Sequence, residues 1–341
     1  MSEKLLTVKN LRVSYYTYAG EVQSVRGVSF DVDKGETLAI VGESGCGKSV
    51  TAKSMMRLIA EPGEIKEGSE ICFEGRDVLA MSKKELRKYR GDDCAMIFQD
   101  ALTSLDPTMK VGKQIAEVLR VHGLAGKKEA AEQAVELLRQ VGIPNPERRA
   151  QEYPHQFSGG MRQRAMIATA LVCKPKLLIA DEPTTALDVT IQAQIIDLMK
   201  EMQRELGAAI ILITHDLGVV ADIADRICVM YSGKIVEKGA SRDIFYRPHH
   251  PYTLALLTAV PRLDLENKQT LATIEGTPPD LLAPPKGCPF CTRCRFCMPI
   301  CRDEMPPETD FGGGHMASCW LHDERAPKVD AELYNGKEER K

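Results

Sequence analysis

Charge of one sign is what this 341-residue sequence lacks: 45 Lys and Arg stand against 48 Asp and Glu, a formal net charge of −3. So balanced a chain has no bulk attraction for phosphate backbones, and no nucleic-acid partner is expected. Long apolar runs are missing as well. A membrane-spanning helix needs about 18 or more apolar residues in a row, and the longest runs, around Leu177 and Ile210, are strand-sized. Residues 1–10 hold no basic stretch leading into an apolar core, so no secretory signal is expected. What remains is ordinary for a soluble globular protein, 43% apolar and 27% charged, at a length that allows two or three domains.

The run Val41-Gly42-Glu43-Ser44-Gly45-Cys46-Gly47-Lys48-Ser49 fits G-x-x-x-x-G-K-S/T, the pattern of a loop that cradles phosphates. An apolar strand run, residues 37–41, precedes it. A helix is predicted after it over 50–60, with Met55, Met56, Leu58 and Ile59 as its apolar stripe. The glycines let several backbone N–H groups converge on one anion, and the helix N-terminus adds about half a positive charge there. Gly42, Ser44, Gly45, Cys46, Gly47, Lys48, Ser49 and Val50 are therefore candidate ATP contacts. Lys48 is placed to reach the β- and γ-phosphates, and the Ser49 hydroxyl to hold Mg²⁺. A plain glycine-rich turn is the bland alternative; it leaves the Lys-Ser pair and its flanking strand and helix unexplained.

Residues 5–33 alternate apolar and polar positions, which predicts antiparallel strands with a turn near Ala19-Gly20. Tyr15, Tyr16 and Tyr18 lie between them; one could stack on a purine ring, or all could be half-buried strand aromatics. Residues 61–98 read as short strands and a helix, ending in the buried-strand run 95–98 and then Gln99. Gln99 is either a strand-end surface residue or a group that reaches the metal beside the γ-phosphate. Helical patterns fill 101–150, notably 111–121 and 127–142. Ser158-Gly159-Gly160 opens another helix and is anion-ready, although, read alone, a plain N-cap is the simpler explanation. Residues 176–182 are an apolar strand ending in Asp181 and Glu182. Downstream of a phosphate loop these carboxylates are candidates for holding Mg²⁺ and polarising the attacking water. A further buried strand, 208–214, ends at His215, a candidate γ-phosphate sensor. Beyond about residue 240 the α/β pattern is expected to stop, giving way to a helical stretch at 252–260, Pro-rich chain and a charged, flexible tail over 328–341.

Taken in order, Gly42 to Ser49, Gln99, Ser158-Gly159-Gly160, Leu178 to Glu182, Asp188 and His215 resemble the full motif set of an ABC-transporter ATPase subunit over about residues 5–240. The resemblance implies an α/β fold, a P-loop NTPase (RecA-like) core with an antiparallel β subdomain and a helical subdomain near 100–157. It also implies that two ATPase subunits meet head to tail, so that Ser158-Gly159-Gly160 contacts the partner's ATP. By the same resemblance, Tyr15 stacks on adenine, Gln99 faces the membrane subunits and joins Ser49 and Asp181 at Mg²⁺, Glu182 is the catalytic base, His215 the γ-phosphate switch, and Asp188 belongs to a loop crossing between subunits. Two departures stand out: the signature reads Phe157-Ser158-Gly159-Gly160-Met161 rather than Leu-Ser-Gly-Gly-Gln, and Val50 replaces a second hydroxyl after Ser49.

The C-terminal third narrows the resemblance. Arg247 to Tyr252, Gly276 to Leu282 and Gly287 to Phe290 are similar to the extension of dipeptide/oligopeptide importer ATPases, of the first-ATPase type. That implies a division into an ATPase domain over 1–240 and an extension over 241–341. It implies a second, non-identical ATPase as heterodimer partner, two membrane permease subunits, an extracytoplasmic peptide-binding protein, and a peripheral place on the cytoplasmic face of the inner membrane. A soluble, non-transport ABC ATPase is the rival; such proteins usually carry two ATPase halves or a long coiled coil, and this chain has neither. Another transported solute, such as a metal chelate, is the nearer alternative.

Eleven cysteines are unevenly spread: Cys288, Cys291, Cys294, Cys297, Cys301 and Cys319 crowd into residues 288–319. In a reducing compartment such a cluster points to metal rather than disulfides. Cys291, Cys294, Cys297 and Cys301 match a bacterial ferredoxin run without its final Pro. The importer extension resembles instead Cys288, Cys294, Cys301 and Cys319. Either set implies a 4Fe–4S cluster in segment 287–320; zinc on four thiolates is the competing reading, with His315 able to replace one ligand. Whether the metal staples the segment or switches transport is open at this level.

Overall fold

The structure, a computed structural model, describes residues 3–100, 104–185, 187–259, 274–327 and 329. The expected charged tail over 328–341 therefore lies, residue 329 apart, outside the described residues, as do Val260, residues 101–103 of the helical insertion and Ala186 before Asp188. Contacts divide the chain into two units, one of Met1–Leu6, Asp31–Thr37 and Cys72–Ile213, the other of Thr7–Phe30, Leu38–Ile71 and Thr214–Lys341.

In the first unit three parallel strands run side by side. Cys94–Ile97 pairs with Leu177–Asp181, which pairs with Ala209–Thr214, in register Ala95↔Leu178 and Ile179↔Ile211. Every residue of the three is buried, which is why they read as unbroken apolar runs rather than alternating ones. The helical insertion holds Val111–Val121, Lys127–Gln140 and Pro146–Arg149. The first two bury Val111, Ile115 and Leu119, and Ala130, Ala134 and Leu138, one face every fourth residue. Helices Gly159–Leu171 and Val189–Leu206 follow.

In the second unit Thr37–Val41 lies parallel to Arg226–Tyr231, which pairs antiparallel with Lys234–Ala240. Two long strands, Lys4–Thr17 and Gly20–Asp33, which this unit holds over Thr7–Phe30, are neighbours across the turn at Tyr18–Ala19, and Gly63–Ile65 pairs antiparallel with the first. The unit's core joins Val229, Tyr231 and Val236 to Tyr252, Cys288 and Phe290 from beyond residue 240. Tyr231, Tyr252 and Phe290 form an aromatic triangle with ring centroids 4.5, 5.2 and 5.3 Å apart.

Two expectations are corrected. The helix after the phosphate loop spans Lys48–Met55, not 50–60. Met56 caps it, and Arg57, at φ 50, turns the chain left-handed, so Leu58 and Ile59 lie beyond it. Nor does strand structure stop at 240. Thr309–Asp310 and Met316–Ala317 form a small hairpin, and Met316–Ala317 pairs antiparallel with Lys234–Ala240. The turn between them uses Gly312, Gly313 and Gly314, all at positive φ.

Candidate functional site

The second unit carries the phosphate loop. Gly42 has φ 154, and a Cβ there would stand 2.1 Å from the Met230 carbonyl oxygen; at Gly47, φ 102, a Cβ would stand 2.3 Å from the Ser24 oxygen. Only glycine fits either position. A Cβ on Gly45 would meet nothing within 4 Å, so the loop's middle faces open space. Lys48 is buried, and its Nζ donates to the carbonyl oxygens of Gly42 at 2.7 Å and Glu43 at 2.9 Å, which holds the ammonium under the loop. Burial pushes the Cys46 thiol up, so it packs as a neutral group.

Glu43 is pinned from beyond residue 240. Its N–H donates to the Tyr252 hydroxyl at 2.9 Å, and its carboxylate takes both ends of the Arg293 guanidinium at 2.5 and 2.9 Å. Sequence spacing points to neither contact: Tyr252 lies in the His249-His250-Pro251-Tyr252 motif, and Arg293 lies in no motif. In the same unit Tyr15 sits half-buried over Gly63, where a Cβ would stand 2.6 Å from its ring. Tyr16 is covered by Lys66, whose ammonium is 4.6 Å from the ring centroid, and Tyr18 is fully exposed. His215 is exposed at the end of Ala209–Thr214, ahead of a helix whose first N–H groups are capped by the Asp216 carboxylate at 2.8 and 3.3 Å.

The first unit carries the carboxylates. Asp181 is buried at its strand end. Glu182 turns left-handed at φ 48, its N–H donating to the Ile213 oxygen at 2.8 Å. Glu182 Oε2 accepts from Gln99 Nε2 at 3.0 Å and Thr185 Oγ1 at 2.9 Å. The structure thus joins Gln99 directly to Glu182, a link the sequence did not reveal. Ser158 is the N-cap of Gly159–Leu171, its hydroxyl accepting from the Met161 N–H at 3.3 Å. It is exposed nonetheless, and a Cβ on Gly159 would meet nothing within 4 Å. Asp188 caps the Val189 helix through the Ile191 N–H at 2.9 Å, and Val189 beside it is 82% exposed.

In the extension, Cys288, Cys291, Cys294, Cys301 and Cys319 line one cavity with Trp320, whereas Cys297 is not among its lining residues. Burial, and then Cys319, Cys301 and Cys294 as neighbours, push the Cys288 thiol up. The set expected from the importer extension therefore converges, joined by Cys291. Mononuclear zinc on four thiolates needs sulfurs about 4 Å apart. Among the described residues only Asp92, His122 and Cys173 form a group of metal-ligating atoms all within 4.8 Å of one another; the extension's thiols form none.

Two family models match the chain: ABC transporter over residues 25–185, and the oligopeptide/dipeptide transporter C-terminal region over residues 236–301. The dipeptide transport ATP-binding protein DppD of Bacillus subtilis (strain 168) is 56% identical over 324 residues, 95% of this chain and 96% of that one. The oligopeptide transport ATP-binding protein OppD of Escherichia coli (strain K12) is 53% identical over 319 residues, 94% of each. Among solved structures, the dimeric ATP-binding cassette MJ0796 bound to ADP and Pi aligns with a TM-score of 0.63 at 27% identity, covering 70% of this chain and 99% of that one. CbiO1 from Clostridium perfringens, part of an ABC transporter complex, aligns with a TM-score of 0.60 at 29% identity, covering 71% and 91%. Fold and phosphate loop together define an ATP-hydrolysing P-loop protein of the ABC type. More narrowly, the chain belongs to the family of ATP-binding proteins of dipeptide and oligopeptide ABC transporters. Among the described residues no helix is long and apolar enough to cross a membrane.

Proposed function

We propose that this chain hydrolyses ATP to drive import of di- or oligopeptides. It works as a heterodimer with a second ATPase on two permease subunits fed by an extracytoplasmic peptide-binding protein, peripherally at the cytoplasmic face of the membrane. Residues 1–240 act as the ATPase domain, with the helical subdomain over 100–157, and 241–341 as its extension. Gly42 to Val50 hold the triphosphate through backbone N–H groups and the Lys48 ammonium, while Tyr15 packs on adenine. Ser49, Asp181 and Gln99 supply oxygen donors, the chemistry Mg²⁺ prefers; when bound, that ion neutralises charge on the phosphates. Glu182 accepts a proton from the water that attacks the γ-phosphorus as the bond to ADP breaks, and His215 senses the γ-phosphate. Ser158, Gly159 and Gly160 complete the nucleotide site of the partner ATPase.

The observation that carries this reading is the hydrogen bond between Gln99 and Glu182 at 3.0 Å. It gives a permease-facing residue a direct hold on the base, so docking and hydrolysis are coupled through one contact. The test is reconstitution with the permeases in vesicles, measuring ATP turnover and peptide uptake. Peptide-loaded binding protein is expected to stimulate turnover, and Gln99→Ala to uncouple it from uptake; turnover indifferent to peptide and permeases would favour a soluble ATPase.

The proposed 4Fe–4S ligands are Cys288, Cys294, Cys301 and Cys319, all of which line the cavity together with Cys291, whereas Cys297 of the ferredoxin run does not. Such a group, when bound, neutralises the thiolates and orders the segment. An iron and sulfide assay with a visible spectrum tests it; zinc at one per chain and no iron would overturn it.

A further inference from the structure

We propose that Arg293 is a positioning residue of the nucleotide site: with Tyr252 it clamps the phosphate loop at Glu43. This rests on the reading that residues 42–49 hold the triphosphate. The Arg293 side chain is only 4% exposed. All five of its N–H groups are used. Nε donates to the Glu275 oxygen at 3.0 Å, one terminal nitrogen to Glu43 at 2.5 Å and the Tyr231 hydroxyl at 3.1 Å, and the other to Glu43 at 2.9 Å and the Ile274 oxygen at 3.0 Å. A guanidinium so satisfied is a fixed post, not a mobile surface charge.

What it fixes is the second residue of the loop. Glu43 is held at its carboxylate by Arg293, at its N–H by Tyr252 and at its carbonyl by Lys48. The peptide units on either side of it cannot rotate without breaking one of these bonds. The amides from Ser44 to Ser49 are thereby aimed before an anion arrives, and the ordering that binding would otherwise require is already done. The pairing also neutralises a carboxylate inside a loop that receives a polyanion. Lysine at 293 would keep the charge and lose the fork, so it separates the two effects. Because Arg293 sits next to Cys294, one of the proposed cluster ligands, the clamp links the order of the cysteine segment to the grip on ATP.

The experiment measures ATP Kd and the steady-state KM and kcat of the full chain for Arg293→Lys, Arg293→Gln and Tyr252→Phe, with Lys48→Ala as control. Losing a fork to a charged partner is expected to raise ATP Kd about tenfold in Arg293→Lys. Kd rises further in Arg293→Gln, KM follows, and kcat at saturating ATP stays within about twofold. Tyr252→Phe removes one hydroxyl from a packed ring, so it reports even if the Arg293 variants fail to fold; a rise of about threefold is expected. Wild-type Kd in Arg293→Lys and Tyr252→Phe, while Lys48→Ala loses ATP, overturns the clamp alone. Wild-type Kd in Lys48→Ala as well overturns the assignment of the loop. An equal fall in kcat with unchanged KM also rejects a positioning role.

Discussion

Replacing Glu237 by alanine should loosen the extension from the sheet and, through it, the phosphate loop. Glu237 is buried in strand Lys234–Ala240. Oε1 accepts the His249 N–H at 2.7 Å and lies 2.8 Å from His315 Nε2, and Oε2 accepts the His250 N–H at 2.9 Å. His250 Nδ1 in turn accepts the Tyr252 N–H at 3.1 Å, and Tyr252 holds Glu43. Alanine orphans two backbone donors and a ring nitrogen. Each stranded buried group costs about 1–3 kcal/mol, and water entering the space recovers some of it, so the net loss is about 3–5 kcal/mol, as for breaking other buried charged networks. Trp320, the sole tryptophan, reports on the region, since its Nε1 donates to the Glu304 oxygen at 2.9 Å. In urea, with m about 2 kcal/mol per M, the Trp320 transition should move down by about 1.5–2.5 M. Glu237→Gln keeps one acceptor and should lose about half as much. An unchanged midpoint in Glu237→Ala would refute the role given to this carboxylate.

Other outcomes follow from the same contacts. Glu182→Gln keeps an acceptor for Gln99 and Thr185 but no base, so ATP binding should persist while kcat falls by about 10²–10⁴; normal steady-state turnover would remove Glu182 as the base. Burial holds His249 and His250 down at about 4, below the unfolded value near 6.5. The folded state then binds fewer protons, so stability should be full above about pH 6.5 and fall as pH drops toward 4; a urea midpoint that is flat or rising between pH 6.5 and 5 would contradict this. Cys294→Ser should abolish bound iron and Cys297→Ser should spare it, and equal losses by elemental analysis would reject the proposed ligand set.

Local pattern made much of this protein legible. A phosphate loop announces itself because its glycines, lysine and serine must be contiguous, and buried parallel strands such as Leu177–Asp181 announce themselves as unbroken apolar runs. Helix ends were less legible: nothing in the spacing of Met56 and Leu58 shows that Arg57 adopts φ 50. The two-residue strands at 309–310 and 316–317 are too short for any periodicity, although three successive glycines marked their turn. Least legible was the hold of Arg293 on Glu43, 250 residues apart in the chain, since a contact at that distance leaves no periodic trace.

The proposed function requires that one chain's loop grip the triphosphate and that another chain's Ser-Gly-Gly turn complete its enclosure. Ultraviolet cleavage after trapping with Mg-ATP and vanadate reads it directly, since vanadate at the γ-phosphate position cuts the backbone beside it. This chain should be cut within residues 42–49 and, only when assembled with its partner ATPase, also at 158–160. An assembled, trapped complex cut at 42–49 but never at 158–160 would contradict the account.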